Sequence, residues 1–308
     1  MFTAALPKLV PIAFIAVVII WSTTPLGIVW SSETVPPTLA VLLRMLIALV
    51  LGIAILLCAR IRLPFTAVAL RLYAFSAIGI VGGMSLGYFA AQYIASGIMS
   101  LIFGLSPLIS GLIAQRLLNE AKFTMMRILA FVLAFIGLGV VCSAKLSIGD
   151  DGWKGLVLVF IAMVLFSLSG VLIKTVKINI HPLASTVGAL LISTPLFALL
   201  WLIFDGNLNI ESWQLRSIAA IVYLGVFGSL IGFIAYFYIL QHLNASTVAL
   251  VTLITPVFAL ILGAVLNQEV VGLSLIVGAS FVVGGLSLYQ FGDALLQRFS
   301  SGQKSALN

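Results

Sequence analysis

The sequence predicts an all-α integral membrane protein: ten transmembrane helices in two inverted five-helix repeats around a central cavity. Three observations predict it. Of 308 residues, 63% are hydrophobic and only 7% charged, whereas a soluble domain of this size is near a quarter charged. The apolar residues fall into ten runs, each long enough for the ~20-residue helix that crosses a bilayer with its backbone groups paired internally. One phrase also occurs twice. SLIFGLSPLISGLIAQRLLNE (Ser100 to Glu120) and ALVTLITPVFALILGAVLNQE (Ala249 to Glu269) align without gaps, placing Pro107 on Pro256, Ser106 on Thr255, Leu117 on Leu266 and Glu120 on Glu269.

The first span, about residues 10–30, follows a single lysine and has no small-residue cleavage site, so it reads as a span and not as a removed signal. It carries WSTTP, Trp21 to Pro25. The second, about 36–58, holds Arg44, the one charge well inside a span. At 1.5 Å per residue it lies ~12 Å deep, which costs ~3 kcal/mol on insertion scales and demands a partner. Arg44 either attracts a substrate carboxylate, holds the carbonyl ends of neighbouring helices, or extends toward Glu33 and the interface.

The third span, about 71–93, spaces Gly79, Gly83 and Gly87 four apart, a face that lets helices approach closely, and ends in Tyr88, Gln92 and Tyr93. The fourth, about 95–118, and the ninth, about 245–267, hold the duplicated phrase. Pro107 and Pro256 each remove a backbone donor and free the carbonyl four residues back, so both helices are expected to bend there, and both prolines are candidate hinges. The fifth runs over about 124–143 and the seventh over about 182–204. In the sixth, about 153–174, FSLSG (Phe166 to Gly170) stands where WSTTP stands in the first. The eighth, about 214–239, repeats the glycine stripe as Gly225, Gly228 and Gly232, with Tyr236, Tyr238 and Gln241 at its end. The tenth is about 270–292.

Five spans per repeat is an odd number, so the second copy enters the membrane upside down, and Glu120 and Glu269 fall at opposite faces. Residues 1–147 form the first repeat, 148–292 the second, and 293–308 a polar cytoplasmic tail. On the cytoplasmic side fall Lys8, Arg60, Arg62, Arg71, Arg116, Lys122, Arg127, Lys174, Lys177, Arg298 and Lys304; the other side receives Lys145, Lys154 and Arg216. Eleven against three is a positive-inside bias that puts both termini in the cytoplasm. Cys58 and Cys142 lie near opposite faces and are not expected to pair.

Inverted repeats that exchange conformations open a midplane site first to one face and then to the other, which is the architecture of a carrier. The candidate cavity residues are Trp21, Thr23, Thr24, Arg44, Tyr88, Ser167, Ser169 and Tyr236. Their alternatives are hydroxyls bonded back to their own helix and aromatics serving as interface belts. Gln92, Pro107, Gln241 and Pro256 are the gating candidates. All eight acids fall near the faces, which disfavours cation antiport through a buried carboxylate. His181 and His242 have no ligand-spaced neighbours, so neither a metal nor a cofactor is expected. No phosphate-binding loop, nucleophile elbow or HExxH motif occurs, so the chain reads as no enzyme. The net charge of +7 is scattered singly, an orientation signal and not a nucleic-acid stripe. The sequon at Asn244 falls on the cytoplasmic side and is expected to stay unmodified.

Trp21 and Ser22 in the first span, Arg44 in the second, Pro107 and Glu120 in the fourth and at its end, and Pro256 and Glu269 in the ninth resemble the drug/metabolite transporter superfamily, EamA type. The likeness covers about residues 10–292. It implies a basket-shaped bundle and export of small polar metabolites such as amino acids. Two positions depart from the family pattern: Ser22 follows the tryptophan where glycine is frequent, and Ile28 and Val29 close the span where lysine is frequent. The expected setting is a bacterial inner membrane, as a monomer or weak homodimer, with a small-molecule substrate and the lipid bilayer as partners. The rivals are a sugar-phosphate or nucleotide-sugar exchanger, which needs several buried cations, and a membrane-embedded lipid-modifying enzyme, for which Asp150 and Asp151 are the one candidate pair.

Overall fold

The computed structural model describes residues 7, 9–143, 150–243 and 245–305. The sequence-predicted positions Lys8, Lys145 and Asn244, and the side chains of Gln241, Arg298 and Lys304, lie outside what is described. The described residues form ten helical segments and no strand. In chain order they are α1 (Leu9–Ser31), α2 (Pro37–Cys58), α3 (Ala67–Ala90), α4 (Ser96–Gly104 and Ser106–Leu117), α5 (Met125–Cys142), α6 (Gly152–Thr175), α7 (Pro182–Phe204), α8 (Leu215–Tyr223, Leu224–Ile231 and Gly232–His242), α9 (Ala245–Asn267) and α10 (Leu273–Ser305). Over the described residues nine are long and apolar enough to cross a membrane; in α9 that part is the shorter stretch Val251–Asn267. α10 continues well past the expected end of the tenth span, so the tail begins as helix.

Local chemistry sets the boundaries. Pro37 and Pro182 each occupy the first turn of their helices, where a missing N–H costs nothing and φ is already helical. Thr66 and Thr124 cap α3 and α5 by accepting from the amides of Ala69 and Arg127 at 3.3 Å, which satisfies an orphan donor of the first turn. α4 and α9 end alike. Asn119 and Gln268 adopt left-handed φ of 52° and 51°, and the next amides return to the helix, Glu120 N to Ala114 O at 3.4 Å and Glu269 N to Gly263 O at 3.1 Å. Each of these pairs has the spacing of Pro107 and Pro256, so the duplicated phrase carries a duplicated backbone turn.

The packing follows the same duplication. α1 lies against α8 and α9 as α6 lies against α3 and α4; α2 pairs with α7, α4 with α9 and α5 with α10, and α2 meets α8 as α7 meets α3. Each of these main contacts is preserved when each helix is exchanged for the one five later. That exchange is the pseudo-twofold relation of two inverted five-helix repeats.

Two irregularities sit at matching places. α3 winds as π-helix over Ile78–Gly83 and α8 over Leu224–Ile231, within the two glycine stripes. A Cβ at Gly79 would lie 2.7 Å from the Ser169 side chain, and one at Gly225 would lie 2.8 Å from Ile47. The missing side chains let α3 close on α6 and α8 close on α2. The π turn itself leaves a carbonyl without its usual helical donor.

The prolines do not behave alike. α4 breaks at Leu105, and Pro107 stands in the first turn of its second piece. Pro256 lies inside a continuous helix, so the helical pattern is interrupted beside one proline and not beside the other. Both prolines lie along the α4–α9 contact: a Cβ at Gly104 would come within 2.9 Å of Pro256 Cγ, and Pro107 shares a small pocket with Thr252 and Leu253.

Candidate functional site

A cavity of about 130 Å³ opens in the middle of the bundle, roughly ten times the space one water needs by the same measure. α1 contributes Trp21, Thr24, Pro25 and Ile28, and α2 contributes Arg44. α3 supplies its glycines and Met84, and α4 supplies Met99, Ser100, Phe103 and Ser106. The second half adds Phe166, Gly228, Phe233, Thr252 and Thr255. The wall is thus largely apolar and aromatic, with a few hydroxyls and one cation.

Arg44 is fully buried. Its Nε donates to Ser229 Oγ at 2.8 Å, while Nη1 and Nη2 have no hydrogen-bond partner among the described residues. Ser229 lies in the π-helical stretch of α8, which brings its hydroxyl against α2. Gly228 lets α8 close on the guanidinium: a Cβ there would stand 3.1 Å from Nη2 and 3.6 Å from Thr24 Oγ1. Glu33, one expected partner of Arg44, pairs instead with Arg216 at 2.6 Å, because α8 starts beside the α1–α2 connection. A buried guanidinium with two open donors is among the most costly groups a fold can carry.

The other predicted cavity residues divide. Trp21, Thr24 and Arg44 line the cavity together. Tyr236 packs behind Trp21, with ring centroids 4.8 Å apart. Thr23 turns away to Tyr223, its hydroxyl 2.6 Å from the phenol. Tyr88 is fully buried, with its phenol 3.5 Å from the Ser31 hydroxyl. Ser167 and Ser169 serve as ties between helices: Ser167 Oγ donates to Ser106 O at 3.3 Å, beside the break in α4, and Ser169 Oγ donates to Phe75 O at 2.7 Å, just before the π stretch of α3. Both hydroxyls serve backbone irregularities in preference to the cavity. Of the gating candidates, Gln92 Nε2 donates to Ser32 O at 3.4 Å, and Pro107 and Pro256 lie at the α4–α9 crossing.

Gln92 belongs to a set of polar ties at the end of the bundle where α1 finishes. Trp30 Nε1 donates to Asn267 Oδ1 at 2.8 Å, and Thr34 Oγ1 to Ser217 Oγ at 3.0 Å. Thr38 bonds Asp205. The Glu269 carboxylate accepts from the amides of Ser96 and Gly97 at 3.0 and 3.2 Å, so it caps α4 with a charge that the helix N-terminus favours. At the opposite end, Asp293 accepts from Thr124 at 2.7 Å and pairs with Arg127 at 3.3 Å.

Ser229, Phe103, Phe233, Met84, Met99 and Thr252 were not among the predicted site residues. Ser229 alone carried a signal, as a hydroxyl inside a glycine stripe. No group of His, Cys, Asp and Glu able to hold a metal occurs among the described residues.

Comparison with known proteins agrees with this architecture. An uncharacterized transporter of Bacillus subtilis, YoaV, is 22% identical over 284 residues, 92% of this chain and 97% of the relative. Protein PagO of Salmonella typhimurium is 27% identical over 254 residues, 81% of this chain and 82% of its own. An uncharacterized transporter of Archaeoglobus fulgidus is 25% identical over 195 residues, covering 63% and 67%. A protein crystal structure shares the fold with a TM-score of 0.64 at 18% identity, over 91% of this chain and 96% of that one. The model of the EamA-like transporter family matches twice, at residues 8–143 and 153–290. The chain therefore belongs to the EamA-like transporter family, and is a multi-pass membrane transporter of the drug/metabolite transporter superfamily.

Proposed function

We propose that the chain exports small polar metabolites bearing a carboxylate, amino acids or related compounds, by alternating access of its two repeats. The observation that carries this reading is Arg44: a fully buried guanidinium, held by one bond and with both terminal nitrogens unpartnered among the described residues, at the wall of a central cavity. A carboxylate docked bidentately on those nitrogens supplies the partner they lack. A membrane-embedded charge without a counter-charge is retained for use. The sugar-phosphate rival needs several cations around the phosphate, and Arg44 is the one Lys or Arg lining this cavity among the described residues.

Access would alternate by breaking the ties at the Glu269 end while the α4–α9 crossing bends. In this reading the Glu269 end is the outer one and both termini are cytoplasmic, in keeping with the distribution of Lys and Arg. The test is counterflow in liposomes containing the purified chain, with labelled amino acids, other carboxylates, purines and sugars tried in turn. Uptake of a carboxylate, lost in Arg44→Gln, is the expected result. If no compound in the panel moves, the exporter reading falls. Cysteines placed at 120 and 269 should label from opposite faces of the membrane; labelling from one face would end the inverted arrangement.

A further inference from the structure

The cavity offers a cation, and its charge is not balanced. All eight carboxylates of the chain stand elsewhere. Glu33 pairs with Arg216, Asp151 with Lys154 and Asp293 with Arg127; Asp205 bonds Thr38 and Glu269 caps α4. Glu120, Asp150 and Glu211 lie in connections or short turns between the spanning helices. None of the eight lines the cavity.

We propose that this cavity selects carboxylate anions carrying no ammonium group, 2-oxo acids and other apolar monocarboxylates, over zwitterionic amino acids. The inference rests on the carrier reading above and, within its carboxylate-bearing compounds, sets the related anions ahead of the amino acids themselves. A zwitterion docked by its carboxylate on Arg44 brings an ammonium into the same largely apolar space, where hydroxyl residues such as Thr24, Ser100 and Thr255 offer neutral oxygens but no described anion pairs it, and a guanidinium nearby repels it. Leaving such a cation desolvated outweighs what ring faces give back, which is about 0.5–2 kcal/mol for a well-placed cation–π contact. Trp21, Phe166 and Phe233 offer such faces, but Met84 and Met99 offer only apolar surface, which suits the tail of a monocarboxylate.

The choice also has an electrical consequence. Exporting a monoanion moves one negative charge outward per cycle, whichever way Arg44 travels with the protein. An inside-negative potential then drives the export without a proton-carrying carboxylate in the spans. At about 2.3 kcal/mol per charge per 100 mV, this sustains a roughly fifty-fold gradient. Moving a zwitterion would gain nothing from the potential.

The test uses the full chain in liposomes, with labelled 4-methyl-2-oxopentanoate and leucine, which share a carbon skeleton, measured against protein-free vesicles. The expected result is oxo-acid counterflow at least about tenfold faster than leucine counterflow, loss of that preference in Arg44→Gln, and oxo-acid efflux that rises when potassium and valinomycin impose an inside-negative potential. Should Arg44→Gln fail to fold, competition on the wild-type chain decides: the oxo acid must displace labelled substrate at about a tenth or less of the leucine concentration. Leucine moving as fast as the oxo acid, oxo-acid transport surviving in Arg44→Gln, or efflux indifferent to the potential each overturn the proposal. Leucine moving alone leaves the carrier reading standing while this narrower one falls; if the wider panel is also inert, both fall.

Discussion

Arg44 in α2 and Ala189 in α7 hold the same place in the two repeats, each seven residues after the proline that begins its helix. Around Arg44 the helices part to leave a cavity. Around Ala189 they close: the neighbouring Gly188 lies so near the Tyr73 ring that a Cβ there would collide with it. The duplicated frame therefore supplies packing twice but places its buried charge once. Pro107 and Pro256 show the same division, one at a helix break and the other in an unbroken helix. Duplication explains the scaffold, and departure from duplication explains the site.

Ala189→Arg tests this most severely. The new guanidinium would enter a closed interior with no cavity and no acid, at a cost of at least about 3 kcal/mol. Folded, membrane-inserted protein should be lost, as read by yield and monodisperse elution. Wild-type yield would break the claim that the two positions differ in their surroundings.

Arg44→Leu should do the opposite, folding as well as or better than the wild type. Replacing an unsatisfied buried ion by an apolar side chain is neutral or stabilising by roughly 1–4 kcal/mol, measured as a raised unfolding temperature in detergent. Carboxylate transport should vanish in the same sample. A lowered unfolding temperature would make Arg44 a structural residue after all.

The prolines are predicted to differ in rate. Pro107→Ala lets the two pieces of α4 anneal and should slow exchange roughly tenfold, about 1.4 kcal/mol on the barrier, with little change in apparent affinity. Pro256→Ala, in a helix that is already continuous, should slow it by about twofold. Equal slowing would mean that both helices bend during the cycle. The smallest effect is expected from Glu269→Gln. It weakens the cap on α4 and the closure of that end by about 1 kcal/mol, seen as a modest fall in unfolding temperature and faster labelling of a cysteine at position 92.

Ten helices, their limits to within a few residues except at the end of α10, and their two-part organisation were legible because each span must bury its own backbone hydrogen bonds. That requirement writes length and apolarity directly into the chain. Arg44 was legible for the same reason, since a charge among apolar residues is costly wherever it points. The hydroxyls were not. Thr23, Thr24, Ser167 and Ser169 look alike in sequence, yet one lines the cavity and the others tie helices together. The π-helical stretches were hidden as well, because the glycine stripes announce close approach but not the extra residue per turn.

Read alone, the sequence determined that this chain is a membrane bundle built twice, with one buried cation and no buried acid, because those facts depend on composition and spacing. Only the tertiary structure decided that Arg44 stands at the wall of a central cavity, that Ser229 holds it, and that the helix is interrupted beside one proline and not beside its twin. Those outcomes depend on which neighbouring helix can supply a donor, an acceptor or a gap at a given height, and that information resides in no single helix.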